Sequence, residues 1–121
     1  MSRGPVIQTE VEELMSVLGK QLEEGTETYE KLAEERAIAE ADYKERYWSA
    51  LIRQIDSTTG NGPRWTASQK EARASLVSKE EWRRFKLLEA REKAAQQHLI
   101  TIRARLDSLR TIAANVRASG G

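Results

Sequence analysis

The chain has no cysteine, and His98 is the only histidine among its 121 residues. Without cysteine it can form neither a disulfide framework nor a thiolate site. A single histidine also excludes the zinc sites that need two histidines. We therefore interpret the sequence as that of a binding or assembly protein rather than an enzyme, with no metal or cofactor.

Aromatic residues are scarce at 6%, with a single Phe, whereas charged residues reach 32%. This composition suits a narrow apolar seam between helices better than the thick core of a globule. No apolar run approaches the roughly 18 residues of a membrane span. The first residues lead into an acidic segment, which does not resemble a secretory signal. We expect a cytoplasmic protein without a membrane partner.

The net charge of +1 hides two halves of opposite sign. Residues 1–57 hold seven Lys/Arg and thirteen Asp/Glu, a net charge of −6, and residues 58–121 hold thirteen and six, a net charge of +7. One interpretation is that the halves pair with each other, and the other is that the basic half faces a polyanion. The two interpretations are compatible.

Two heptad patterns predict two long helices that pack along apolar seams. The first helix should span about 10–56 and the last about 79–118. The first seam is interrupted by Gly25 and Arg36, and the second by Glu92. The first seam consists of Val11, Met15, Leu18, Leu22, Gly25, Tyr29, Leu32, Arg36, Ala39 and Tyr43. The second consists of Phe85, Leu88, Glu92, Ala95, Leu99, Ile102, Leu106, Leu109, Ala113 and Val116.

Between these helices, Gly, Asn and Pro predict a loop over 57–65, followed by a short helix over about 67–74. Three capping boxes mark the helix starts. At the third, Val77 and Trp82 have the spacing of a hydrophobic staple. The boxes are Thr9 with Glu12, Thr66 with Gln69, and Ser78 with Glu81.

Together these elements predict one all-α domain over 1–121, a long helical hairpin or coiled coil with a short helix in the connection. A lone hairpin leaves apolar edges uncovered, so we expect a homo-oligomer.

Basic residues flank the second seam on both sides. One flank consists of Arg84, Arg91, His98 and Arg105, and we expect it to pair mainly with four acids of the first helix. These acids are Glu12, Glu35, Glu40 and Asp42. Arg110 and Arg117 extend beyond those acids and are candidates for an external anion. The other flank consists of Arg103, Arg110 and Arg117.

A second basic cluster surrounds the loop and contains Arg46, Arg53, Arg64, Lys70 and Arg73. Together with Trp65 it suits single-stranded nucleic acid, because cations hold phosphates while flat rings stack on bases. Trp65 either stacks on a base or covers the end of the hairpin. Trp48, by contrast, is expected in the core on a face with Leu51 and Ile55.

Part of the chain, roughly residues 47–116, resembles the UvsY-type phage recombination mediators. The similarity lies in Arg53-Gln54-Ile55-Asp56, in the loop Thr59-Gly60-Asn61-Gly62, in the short helix with Lys70, and in Leu76-Val77-Ser78-Lys79-Glu80-Glu81. It ends on the last helix with Arg110 and Arg117. Ser57-Thr58 stands where an aromatic pair usually follows the Asp.

The resemblance implies an oligomeric helical protein that binds single-stranded DNA and acts in the cytoplasm of a phage host. Such a protein would help load a recombinase onto strands covered by single-strand-binding protein. The alternative is a structural or adaptor coiled coil with only protein partners.

Overall fold

The computed structural model describes the backbone of residues 4–57 and 65–120 and the side chains of residues 7–53 and 65–119. These residues form three helices and no strand: α1 (Gly4–Ser57), α2 (Ala67–Val77) and α3 (Lys79–Gly120). Helices α1 and α3 pack against each other, and α2 lies between them in the chain. The predicted all-α fold is confirmed. None of the described helices carries an apolar stretch of the length that a bilayer crossing requires.

The chain divides into two compact units. The terminal unit comprises Met1–Glu30 and Lys93–Gly121, and the central unit comprises Lys31–Glu92. Each contains a segment of α1 packed against a segment of α3. The core of the terminal unit is Leu18, Ile102 and Leu106, and that of the central unit is Ala39, Phe85 and Leu88.

Both predicted seams are confirmed, because every seam position is buried or half-buried. Apolar side chains recur every three or four residues, so within each unit the α1 and α3 segments present apolar stripes to each other. Burial of these stripes is the main favourable contribution to the packing of α1 on α3.

The two charged residues that interrupt the seams meet in the central unit. Arg36 Nε donates to Glu92 Oε2 at 2.6 Å, and Arg36 Nη1 donates to Glu40 Oε2 at 2.9 Å. Lys44 Nζ lies 3.0 Å from the other Glu40 oxygen. Hydrogen bonds to Glu92, and after it to Glu40, raise the pKa of Arg36 above its ordinary value. Hydrogen bonds from Lys44, and after it from Arg36, lower the pKa of Glu40.

The third interruption, Gly25, also has a partner across the seam. A Cβ atom at this position would lie 2.8 Å from Leu99 Cδ2, closer than van der Waals contact permits. The missing side chain therefore provides the space that the buried Leu99 occupies. Helix α1 continues through Gly25, as predicted.

The predicted start of α1 at Thr9 is wrong, because α1 begins at Gly4 and Thr9 lies inside it. Pro5 explains the earlier start, since proline fits the first turn of a helix, where its missing N–H has no partner to lose. The second capping box is confirmed. Thr66 Oγ1 accepts from Gln69 N at 3.2 Å, and Thr66 N donates to Gln69 Oε1 at 2.9 Å.

The third predicted box is wrong, although Ser78 does separate α2 from α3. The buried Ser78 hydroxyl donates to Ala74 O of α2 at 2.8 Å, and so belongs to the end of α2 rather than to the start of α3. Its backbone (φ −96°, ψ 14°) is not the extended one that an N-cap adopts. Glu81, the expected partner, instead lies 3.8 Å from Arg46.

Two aromatic predictions near this junction are also wrong. Trp48, expected in the core, is 57% exposed. The seam passes beside it, because Tyr47 is half-buried and Ala50 is buried. Val77 and Trp82, the predicted staple, are both exposed, so these two side chains form no buried apolar contact at the start of α3.

Candidate nucleic-acid interface

In the central unit, the start of α2 brings an aromatic ring and a cation together. Trp65 precedes the Thr66 cap, and the Arg73 guanidinium carbon lies 5.0 Å from the centre of the Trp65 ring. This is the geometry of a cation–π contact. Trp65 is half-buried and Arg73 is exposed, so the pair forms a surface on which one ring face already carries a cation.

The other basic residues predicted around the loop are placed less closely. Lys70 lies three residues before Arg73, a spacing that puts both on one side of α2. Arg53 is exposed on the last turns of α1. Arg64 lies outside the described residues, as do the side chains of Gln54, Ile55 and Asp56 and the loop over 58–64.

Arg110 and Arg117 belong to the terminal unit and are both exposed. Both already make contacts within α3. Arg110 Nη1 lies 3.3 Å from Asp107 Oδ1, and Arg117 Nε donates to Ala113 O at 3.3 Å. These contacts are local and exposed, and such surface pairs contribute little stability.

The expected pairing of basic α3 with acidic α1 is wrong for the residues that the structure describes. No carboxylate lies within 4 Å of Arg84, Arg91 or Arg105 there. Glu40, one expected partner, is bound by residues of its own helix.

The ion pairs that do join the long helices in the central unit run in the opposite sense. Arg36–Glu92 and Arg46–Glu81 each take the base from α1 and the acid from α3. These two ion pairs therefore neutralise no basic residue of α3. On α3, the exposed arginines without a carboxylate partner in the described chain are Arg84, Arg91, Arg103, Arg105 and Arg117.

A small pocket that the sequence did not indicate lies in the central unit. It has a volume of about 210 Å³ and is lined by Tyr43, Ser75, Lys79 and Trp82. Tyr43 also stacks on Phe85, with ring centres 6.1 Å apart, which holds one wall in place. An exposed indole beside an ammonium group offers a stacking surface and a phosphate contact.

The pocket was missed because three helices contribute to it. Only the spacing of Ser75, Lys79 and Trp82, four and then three residues, signals a shared helical face. The predicted cap at Ser78 hides this spacing, because it assigns Ser75 and Trp82 to two different helices.

The side chains in the described ranges include no group of three His, Asp or Glu residues that could hold a metal ion. Comparison with known protein families, with curated proteins and with solved structures found no match for this chain.

Proposed function

We propose that this protein is a non-enzymatic, single-stranded DNA-binding accessory protein. The observation that carries the proposal is that Arg84 and Arg91, both exposed on α3, have no carboxylate partner among the described residues, although α1 is rich in acids. Guanidinium groups that no acid neutralises are available to phosphates, and phosphate contacts dominate nucleic-acid affinity.

Two aromatic sites support a single strand over a duplex. Trp65 beside Arg73, and Trp82 beside Lys79, each combine a flat ring with a cation. Stacking on an aromatic ring contributes roughly 1–3 kcal/mol per base and tolerates any sequence. A base-paired duplex keeps its bases stacked on each other and offers no such face.

The resemblance to UvsY-type mediators extends the proposal to recombination. On that basis the protein loads a recombinase onto strands covered by single-strand-binding protein, with both proteins as partners. Recombinase assembly on covered strands, measured with and without this protein, tests that extension separately from DNA binding.

The DNA-binding experiment is a titration of labelled single-stranded oligonucleotide at several salt concentrations. The slope of log affinity against log salt should be about −0.7 per phosphate contact. Neutralising Arg64, Lys70 and Arg73 together should weaken binding and flatten the slope, and so should Arg84→Gln with Arg91→Gln. Lys20→Gln with Lys31→Gln, which removes two positive charges from acidic α1, is the matched control for the Arg84 and Arg91 double variant.

No binding by the unmodified protein at low salt would end the DNA proposal. An equal loss in the α1 control would show that only net charge matters. Circular dichroism of each variant checks that the helices remain folded.

The alternative function is a structural or adaptor role with only protein partners. It is favoured by an apolar groove on the terminal unit, where Leu14, Val17 and Ile100 are each at least half exposed. In that case the basic variants bind nucleic acid no worse than the unmodified protein, because neither binds it.

A further inference from the structure

The terminal unit carries an open groove between its α1 and α3 segments. Its volume is about 720 Å³, and its apolar lining includes Leu14 and Val17 of α1 and Ile100 and Leu109 of α3. Leu14 and Val17 are both 53% exposed and Ile100 is 50% exposed. Large apolar side chains gathered in one groove are typical of an interaction surface.

The charges beside the groove identify what covers it. Over residues 7–30 the α1 segment has seven Glu and one Lys, a net charge of −6. Over residues 93–119 the α3 segment has five Lys/Arg and one Asp, a net charge of +4. The unit is therefore acidic along one helix and basic along the other, which makes it complementary to a copy of itself turned around.

Two residues on this face make the complementarity specific. Arg105 lines the groove on α3, and Glu24 lines the adjoining cleft on α1. Neither side chain has an ion-pair partner within 4 Å in the described part of the chain. A second copy can supply a partner to each.

We infer that the terminal unit pairs face to face with the same unit of a second copy, about a two-fold axis parallel to its helices. This axis lays α1 of one copy on α3 of the other, and the four segments form a bundle with the groove residues inside. The other face-to-face arrangement, with the axis across the helices, lays acidic α1 on acidic α1. Charge repulsion disfavours that arrangement.

The parallel axis also brings Glu24 and Arg105 within reach of each other. Leu18 packs with Leu106, and Gly25 faces Leu99, so Arg105 lies near the level of residue 19. Glu24 is then about 7.5 Å away along the axis at 1.5 Å per residue. Rotation about this axis leaves the position of each residue along the axis unchanged. The Glu24 and Arg105 side chains therefore span the same distance of about 7.5 Å in both symmetric contacts.

Light scattering at micromolar concentration should give a mass of at least twice 13.7 kDa for the unmodified protein. Arg105→Glu should raise the dissociation constant about tenfold or more, because it places a second carboxylate opposite Glu24 in each of the two symmetric contacts. Mixing the Arg105→Glu and Glu24→Arg proteins should restore association. Arg103→Glu, an equal charge change outside the groove, is the matched control and should leave association unchanged.

Cysteine cross-linking determines the axis, since the chain has no cysteine of its own. A mixture of the Val17→Cys and Ala104→Cys proteins should form disulfide-linked heterodimers. Val17→Cys alone should link to itself poorly, because the two copies of residue 17 lie on diagonal helices. A 13.7 kDa monomer, efficient Val17 self-linking, or equal effects of Arg103→Glu and Arg105→Glu would each overturn the inference.

Discussion

Two glycines of α1 differ in what surrounds them. Beyond its chain neighbours and the adjacent backbone of α1, Gly19 has no described atom within 4 Å of the position that a Cβ would take, whereas at Gly25 that position lies 2.8 Å from Leu99 Cδ2. Both occupy the interior of a helix, where alanine is favoured over glycine by about 1 kcal/mol.

We expect Gly19→Ala to stabilise the protein by about 1 kcal/mol, since only the helix preference changes. Gly25→Ala gains the same preference but crowds Leu99, and overpacking typically costs about 1–3 kcal/mol. The expected result is no gain or a net loss. Denaturant midpoints of both variants, measured side by side, check this, and an equal gain at both sites would contradict the close approach.

Ser78 offers a second test, because the predicted and the observed role disagree on which substitution is tolerated. Ser78→Ala removes the hydroxyl bond to Ala74 and should cost about 1 kcal/mol. Ser78→Asp should cost more, because a buried carboxylate cannot donate to that carbonyl. An N-cap would accept Asp readily. Asp more stable than Ala in thermal unfolding would restore the N-cap role.

From the ion pairs of Glu40 we expect the folded protein to lose stability in acid. Its pKa in the folded protein is lowered below 4.5, first by Lys44 and then by Arg36. A lowered folded pKa stabilises the protein above the unfolded pKa, and that stabilisation is lost as the pH falls through the folded pKa. The difference in melting temperature between the parent and Glu40→Gln should therefore shrink below about pH 4.5. Glu34→Gln, at an exposed position for which the described part of the chain shows no ion pair, is the matched control.

Among the elements, the long helices were predictable and their ends were not. The seams follow from a period that repeats over many turns, so single exceptions such as Gly25 do not hide it. A capping box is only four residues long, and Thr9 and Ser78 show that it can occur where the backbone is already helical or belongs to the preceding helix.

The candidate site was predicted in composition but not in its contacts. Trp65 and Arg73 do lie together, as the clustering of aromatic and basic residues near the loop indicated. Heptad positions could not show that Arg84 and Arg105 have no acidic partner on α1 in the described chain, because acids such as Glu40 bind bases of their own helix. Trp48 was misplaced because the seam steps to Tyr47 instead.

The pair of charges across the central seam gives a prediction for the packing of α1 on α3. Arg36→Leu or Glu92→Leu alone should lower the melting temperature, since each removes the ion pair across the seam and leaves the other half-buried charge without this contact. Together they should recover stability or exceed the parent, because an apolar pair has no desolvation penalty. Thermal unfolding of the two single variants and the double variant measures the coupling. Additive losses would mean that the charges act independently.

For the whole molecule, the separation of charge into an acidic and a basic half has a measurable consequence. If copies assemble through complementary segments, assembly stabilises the folded chain by mass action. The melting temperature should therefore rise with protein concentration and fall when salt screens the contact. Calorimetry over a wide concentration range, at low and high salt, checks both trends. A melting temperature independent of concentration would indicate that folding and assembly are not coupled.

The Arg36–Glu92 pair also determines the register of the two long helices. Uniform heptads would allow α1 to slide along α3 by seven residues with little change in apolar contact. A slide in one direction would bring Arg36 to the level of Phe85, and a slide in the other would bring Glu92 to the level of Tyr43. Either slide leaves a charge among apolar rings without its partner, so only one alignment satisfies both residues. A chain with leucine at both positions would lose the restriction that these two charges place on the alignment of the helices in the central unit.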